Sequence, residues 1–349
     1  MSGASDPQAA FDAALAILDP PRPFALAVSG GPDSTALMRL AAPLGPAVFT
    51  VDHGLRKDSA AEAEAAGAWA KALGLKHEVL RWTGAKPQSG LQAAARAARY
   101  RLLAEACRRT GAATLMTGHT LDDQAETVAM RRAKGSGPVG LAGMASQSLL
   151  PGTAIRLVRP LIAVRKAALL AYLGALGQPY FSDPSNENPR FDRARLREAG
   201  GTDVDVAALA EAQRARLGLE RAALGVLERT ASVRGEAVFV PQAALAALTD
   251  EVLDVVLAAL LRRAGGRAYP GTAAERARLG AAIRTADPFA GRTLAGAVVR
   301  PARRAEAGPG AAALAFAPEA PGGRILDGWW LPFALFPQIG PDGRAVTQT

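Results

Sequence analysis

The sequence predicts an α/β protein: a doubly wound, Rossmann-like parallel sheet, followed by a smaller, mainly helical C-terminal domain. Three observations predict it. Through the first 160 residues, short apolar runs alternate with helical stretches, the pattern of a parallel sheet with helices on both faces. The most unusual residue clusters fall directly after apolar runs, where ligands bind on such sheets. A polar break, "DPSNENPRFDRARLREAGGTDVDV", then separates this half from a segment with Arg and Glu interleaved at helical spacing.

Each element has its own signal. "PFALAVSG" reads as a strand and is followed by the helical "DSTALMRLAAPL". "PAVFTVDHG" precedes "SAAEAEAAGAWAKALG", and "KHEVLRWTG" precedes "GLQAAARAARYRLLAEACRRTG". "AATLMTGHT" leads into "LDDQAETVAMRRAKG", and "AIRLVRPLI" into "RKAALLAYLGALG". From Val206 to about Ala264 the pattern is helical. In the tail, "GRTLAGAVVRPARRAEAGPGAAALAFAP" predicts short strands and turns, and "RILDGWWLPFAL" a further strand pair. The expected organisation is an α/β domain over 1–200, a helical domain over 201–268 and a mixed C-terminal segment over 269–349.

Composition narrows the function classes. Of 349 residues, 49% are apolar, enough for a sizeable core. The net charge of +9 is carried mostly by Arg; only six Lys occur, the last at Lys166. A drift toward Ala and Arg accounts for part of that charge, so a polyanionic partner stays an open question at this level. The single Cys107 excludes an intrachain disulfide, a multi-Cys metal site and chemistry that needs a Cys pair. It sits in a helical pattern and reads as packing. No uncharged apolar run reaches membrane-spanning length, and the N-terminus lacks a basic segment before its apolar part. The expectation is a soluble cytoplasmic protein.

The densest cluster is "SGGPDS", Ser29 to Ser34, between the first strand and the next helix. Gly30 and Gly31 let backbone N–H groups approach an oxyanion, and the helix N-terminus adds positive partial charge. The hydroxyls of Ser29 and Ser34 can donate to phosphate oxygens. Asp33 is out of place beside an anion unless a divalent cation bridges the two. A Walker A loop needs a Lys that is absent here. An ordinary Gly-rich turn with a capping Asp or Ser is the plainer alternative.

Three further clusters follow. His53 lies in "VDHGLRKDSAAEA", after the second strand, where an adenine could lie across the sheet edge; alone, it reads equally as a core or capping histidine. Arg96, Arg99 and Tyr100 fall within about one helical turn, and two guanidiniums on one face suit a phosphate or a base edge, or simply a solvated basic face. In "TGHTLDDQAETVAMRRAKGSGPVGLAGM", Asp123 and Glu126 share a helix face if the helix begins near Leu121. Like charges side by side call for a cation between them, an ammonium or a metal ion. An attacking amine must lose a proton, which His119 or a carboxylate could accept. Enrichment of acids at a helix N-terminus explains Asp122, but not the neighbouring His or the Gly-rich exit.

Together these strings resemble a known family. "SGGPDS" resembles the PP-loop of the N-type ATP pyrophosphatases, which cleave ATP between the α and β phosphates and usually adenylate a carbonyl-type oxygen before a nucleophile displaces AMP. "VDHGLRKDSAAEA", "ARAARYRLL", "GHTLDDQAET…KGSGPVGLAGM", "VRPLIAVRKAALLAYL" and "DPSNENPRFDRARLR" are similar, in order, to motifs of the tRNA(Ile)-lysidine synthases. Thr120 stands where a second His is usual, Lys134 where Arg is common and Ala194 where Asn is usual. The resemblance covers about residues 22–200. It implies ATP and Mg²⁺ at Ser29, Gly30, Gly31, Asp33, Ser34 and His53, with Asp33 the metal ligand. Asp33, His119, Asp123 and Glu126 would form the catalytic set, the last two positioning lysine. Arg96, Arg99, Arg159, Arg165, Arg193 and Arg197 would contact RNA. The implied partners are free L-lysine and a CAU-anticodon tRNA(Ile), with no membrane. Another PP-loop ligase, a tRNA thiolase (against which the single Cys counts) or a non-catalytic RNA-binding protein are the alternatives.

Overall fold

The computed structural model describes residues 6–56, 58–133, 135–150, 153–182, 205–267, 269–285, 289–303, 306, 312–320 and 331–347. The chain divides into two compact units, Met1–Gln213 with Phe336–Thr347, and Arg214–Leu335 with the last two residues.

The first unit opens with α1 (Pro7–Leu18), whose N-cap Asp6 accepts from the Gln8 amide at 3.1 Å. The alternation predicted from sequence follows: β1 (Phe24–Ala27), α2 (Pro32–Ala41), β2 (Ala47–Asp52), α3 (Ser59–Ala72), β3 (His77–Arg81), α4 (Leu91–Thr110), β4 (Thr114–Thr117) and α5 (Leu121–Ala133). A short α6 (Pro138–Leu141), β5 (Gln147–Leu149), β6 (Arg156–Val158) and α7 (Lys166–Ala175) complete it. The strands form one sheet in the order β3-β2-β1-β4-β6-β5. All neighbours pair in parallel except β5, an antiparallel edge strand on β6 that the sequence reading missed.

β1 is buried along its whole length, as expected for a central strand with helices on both faces. Its side chains alternate. Leu26 packs with Val48, Met116, Val158 and residues of α1, α2 and α7 on one face. Ala25 and Ala27 pack with Phe49, Leu115, Leu157 and α4 residues Leu103 and Cys107 on the other. Cys107 is fully buried and its thiol is pushed up to about 12 by burial, so it packs rather than reacts.

The C-terminal segment 336–347 belongs to this unit and is held by buried polar contacts. Gln338 donates to the Gln147 carbonyl at 2.9 Å and accepts from Ser146 Oγ at 2.9 Å and the Gln147 amide at 3.2 Å. The Arg156 guanidinium lies 4.0 Å from the centre of the Phe336 ring.

The second unit combines helices with a separate antiparallel sheet. Five strands, β7 (Ser232–Arg234), β8 (Ala237–Pro241), β9 (Arg292–Leu294), β10 (Ala297–Pro301) and β11 (Ala313–Pro318), run in the order β7-β8-β11-β10-β9. The β9–β11 strands fall in the tail segment read as strands. The β7–β8 hairpin breaks the segment read as continuous helix. Its two-residue turn puts Gly235 at φ +59, a conformation that glycine adopts without cost. Pro332–Leu335 is a short helix where a strand was expected; the preceding part of that stretch lies outside the described residues. Helix Asp250–Gly265, capped by Thr249, supplies the unit's apolar centre through Leu253, Val256, Leu257, Leu260 and Leu261.

Candidate active site

Strand order reverses at β1, which pairs with β2 on one side and β4 on the other. The crevice outside the carboxyl ends of β1 and β4 is therefore the topological switch point. Two of the sequence clusters, Ser29–Ser34 and His119–Glu126, leave the sheet there.

After β1 the chain turns through Ser29, Gly30 and Gly31 into α2. Gly30 has φ +82, and a Cβ on it would stand 2.8 Å from Phe181 Cδ2. The Phe181 amide donates to the Gly30 carbonyl at 2.9 Å, and its ring stacks on Trp69 with centroids 5.1 Å apart. Only glycine fits this position. Ser34 Oγ accepts from the Ser29 amide at 3.1 Å and donates to the Gly31 carbonyl at 3.1 Å, with Ser29 Oγ 3.2 Å away. The two serines thus shape the turn as well as presenting hydroxyls. Gly31 is the N-cap of α2 and gives no side-chain capping bond, so no side chain covers the first amides of the helix.

Asp33 lies in the first turn of α2, directly after the loop that leaves β1. Its Oδ2 accepts from Lys166 Nζ at 3.2 Å, and its Oδ1 is buried without a partner. Burial raises its pKa above the ordinary value of 3.8; Lys166 opposes the rise, and Asp123 and Asp122 add to it. Lys166 is the first residue of α7, and its amide donates to Asp122 Oδ2 at 2.7 Å. The starts of α2, α5 and α7 are therefore linked through Lys166, whose side chain reaches Asp33 on α2 and whose amide reaches Asp122 on α5.

α5 begins at Leu121, as the motif predicts. Thr120 caps it: the Thr120 amide and hydroxyl donate to Asp123 Oδ2 at 2.8 and 2.9 Å, and the Asp123 amide reaches back to Thr120 Oγ1 at 3.4 Å. This is a capping box with Asp in the third helical position. Glu126, one turn on, is 3% exposed. His119 lies beside Thr117, with Nδ1 2.9 Å from the hydroxyl. The Gly-rich exit of the motif has a packing reason. Gln124 grips Met144 through both its amide atoms, at 3.0 and 2.7 Å, and Arg131 donates to the carbonyls of Gly140 and Gly143 at 2.9 and 2.7 Å.

The remaining predicted residues are more dispersed. His53, after β2, is half-buried and meets Trp82 edge-on at 5.9 Å. Burial, then Arg99, lowers its pKa below 6.5, so it is mostly neutral at pH 7. Arg96 and Arg99 lie three apart on α4, with Arg96 exposed and 5.0 Å from the centre of the Tyr100 ring. Arg159 is interior, 8% exposed, and donates to the Ala145 carbonyl at 2.7 Å. Arg165 stands 4.0 Å from Asp122. Arg193 and Arg197 lie outside the described residues.

Among the described residues, no cluster of three or more His, Cys, Asp or Glu side chains could hold a metal ion. Mg²⁺ commonly needs only one or two carboxylates when phosphates supply further oxygens. The buried, unpartnered Oδ1 of Asp33 fits that requirement. Sequence reading missed Lys166, because nothing local links it to a loop 133 residues earlier. It also missed the capping role of Thr120, which a T-x-x-D pattern ahead of a helix does signal.

A family model described as a PP-loop domain matches residues 7–200. A tRNA(Ile)-lysidine synthase of Methylobacterium nodulans is 49% identical over 261 residues, 70% of this chain and 76% of that one. The chain belongs to the tRNA(Ile)-lysidine synthase family. A relative of that name from Hyphomonas neptunium is 40% identical over 314 residues, covering 85% of this chain and 84% of its own. One from Rhodopseudomonas palustris is 56% identical over 181 residues, about half of each chain. No helix among the described residues is long and apolar enough to cross a membrane.

Proposed function

We propose that this chain ligates free L-lysine to C2 of the first anticodon cytidine of a CAU-anticodon tRNA(Ile), using ATP and releasing AMP and pyrophosphate, in the cytoplasm. The observation that carries the reading is the convergence of the Ser29–Ser34 loop with the α5 N-terminus at the β1/β4 crevice, in a chain of this family.

In the first step the cytosine O2 attacks the α-phosphorus, and the bond to the bridging oxygen breaks as pyrophosphate leaves. The loop amides of Ser29–Ser34 and the uncapped α2 N-terminus bind the phosphates, and Gly30 supplies the positive φ that the turn needs. Asp33, through its free Oδ1, is the residue that would hold Mg²⁺, which supplies charge neutralisation when bound. His53 borders the nucleoside side of the sheet edge. In the second step the ε-amino nitrogen of lysine attacks C2, the C2–O2 bond breaks and AMP leaves with that oxygen. The amine gives up its proton at this stage. Glu126 and the free oxygen of Asp123 are the carboxylates that attract the lysine ammonium, with His119 beside them. Arg96, Arg99 and Arg165 supply positive charge for the RNA, Arg159 supports them from within, and Arg193 and Arg197 are further proposed contacts.

The test is the product set. Incubation with ATP, Mg²⁺, lysine and unmodified tRNA(Ile) should release AMP and pyrophosphate in equal amounts, and none without tRNA. ADP and phosphate, or turnover that ignores tRNA, would contradict the proposal.

A further inference from the structure

The Ser29–Ser34 loop contains no cation of its own. Loops that cradle the end phosphates of a nucleotide commonly add a lysine to the backbone amides. Here a lysine arrives from a distant part of the chain. Lys166 Nζ lies 3.2 Å from Asp33 Oδ2, with the lysine side chain 38% exposed and the aspartate 22%. The Lys166 backbone is fixed, since its amide is held by Asp122 Oδ2 at 2.7 Å. The loop ahead of it is fixed too, because the Leu121 amide donates to the Val164 carbonyl at 2.9 Å. The ammonium sits on a flexible four-carbon stem above this anchored point. It can change partners while its Cα stays in place.

Asp33 has one oxygen on Lys166 and one buried oxygen without a partner. A divalent ion and an ammonium compete for such a carboxylate. We propose that Lys166 is the phosphate-binding cation of this loop: a divalent ion takes over Asp33, and the released ammonium moves to the end phosphates of ATP, where it offsets the charge of the departing pyrophosphate. This rests on the reading of Asp33 as the metal-holding residue. It adds a second role for the start of α7, which would carry the cation that the PP-loop lacks.

The experiment compares full-length wild type, Lys166→Met, Lys166→Arg and Asp33→Asn by direct binding. One arm titrates Mn²⁺ alone and follows its electron paramagnetic resonance signal. The other titrates α,β-methylene-ATP with Mg²⁺ by calorimetry. Lys166→Met should bind Mn²⁺ about fivefold more tightly, since its competitor is gone, and the nucleotide about tenfold more weakly, since its phosphate partner is gone. Lys166→Arg should keep most of the nucleotide affinity. These opposite signs separate the proposal from a structural role, which would weaken both or neither. Parallel or absent changes in Lys166→Met overturn it. If Asp33→Asn binds Mn²⁺ as well as wild type, the metal-holding role of Asp33 fails as well. If Asp33→Asn loses Mn²⁺ while Lys166→Met matches wild type in both arms, only the Lys166 proposal fails.

Discussion

Gly118 lies against the backbone of Asp33. A Cβ on Gly118 would stand 2.6 Å from the Asp33 carbonyl oxygen and 2.8 Å from its carbonyl carbon. The turn after β4 and the start of α2 thus touch without a side chain between them, and any substitution at Gly118 pushes the PP-loop away from α5. Gly118→Ala should leave a folded protein with kcat/KM lowered about a hundredfold, since a shift near 1 Å in positioning groups has that scale of effect. Gly174→Ala, in α7 with open space around it, is the control and should keep full activity. Steady-state kinetics with matched melting curves check both.

The capping box of α5 gives a second prediction. Thr120→Val keeps the shape but removes the hydroxyl that serves Asp123 in both directions. The cost should be about 1 kcal/mol, read from urea unfolding. Thr120→Ser should recover most of it. An unchanged midpoint in Thr120→Val would show that the cap is not used.

The C-terminal segment makes a third. Gln338 is buried and serves Ser146 and Gln147 at once. Gln338→Leu leaves those groups without their amide partner, which should destabilise the first unit by about 2–4 kcal/mol. Thermal unfolding followed by the fluorescence of Trp69 and Trp82, both in that unit, reports the shift. A shift near zero would mean that the segment does not support the sheet.

His77 supplies a pH dependence. Its ring packs beneath Gly67, where a Cβ would stand 2.6 Å from Nδ1, and Nε2 lies 2.9 Å from Thr50 Oγ1. Burial, then Lys71, lowers its pKa below the ordinary 6.5. The unfolded chain then binds the proton more readily than the folded one. Stability from this group is fully present above pH 6.5 and falls as the pH drops below it. His53 is shifted in the same direction. Unfolding midpoints at pH 7.5 and 5.5 should differ less in His77→Gln than in wild type; an equal difference would contradict the assignment.

Much of the first unit was legible because its signals are local. The strand Phe24–Ala27 is an uninterrupted apolar run, Thr114–Thr117 is a short β-prone run about Leu115 and Met116, and the glycines and charges that follow them mark the strand-to-helix turns. β5 escaped notice because three residues, "QSL", carry no periodicity. The β7–β8 hairpin was hidden between two long helices whose pattern dominates any window around it. In the site, Ser29–Ser34 and Thr117–Glu126 stand out in the sequence because each is a dense run. The Asp33–Lys166 pair does not, since it forms only when α7 packs beside α2. Arg159 reads like any surface arginine, yet the sheet holds it inside against Ala145.

The central claim is the transfer of lysine to one base. The most direct measurement is incorporation of radiolabelled lysine into an unmodified CAU-anticodon tRNA(Ile) transcript with ATP and Mg²⁺, beside a transcript whose first anticodon C is replaced by U. The account predicts label in the first transcript and none in the second. Label in both, or in neither while pyrophosphate is still released, would contradict it.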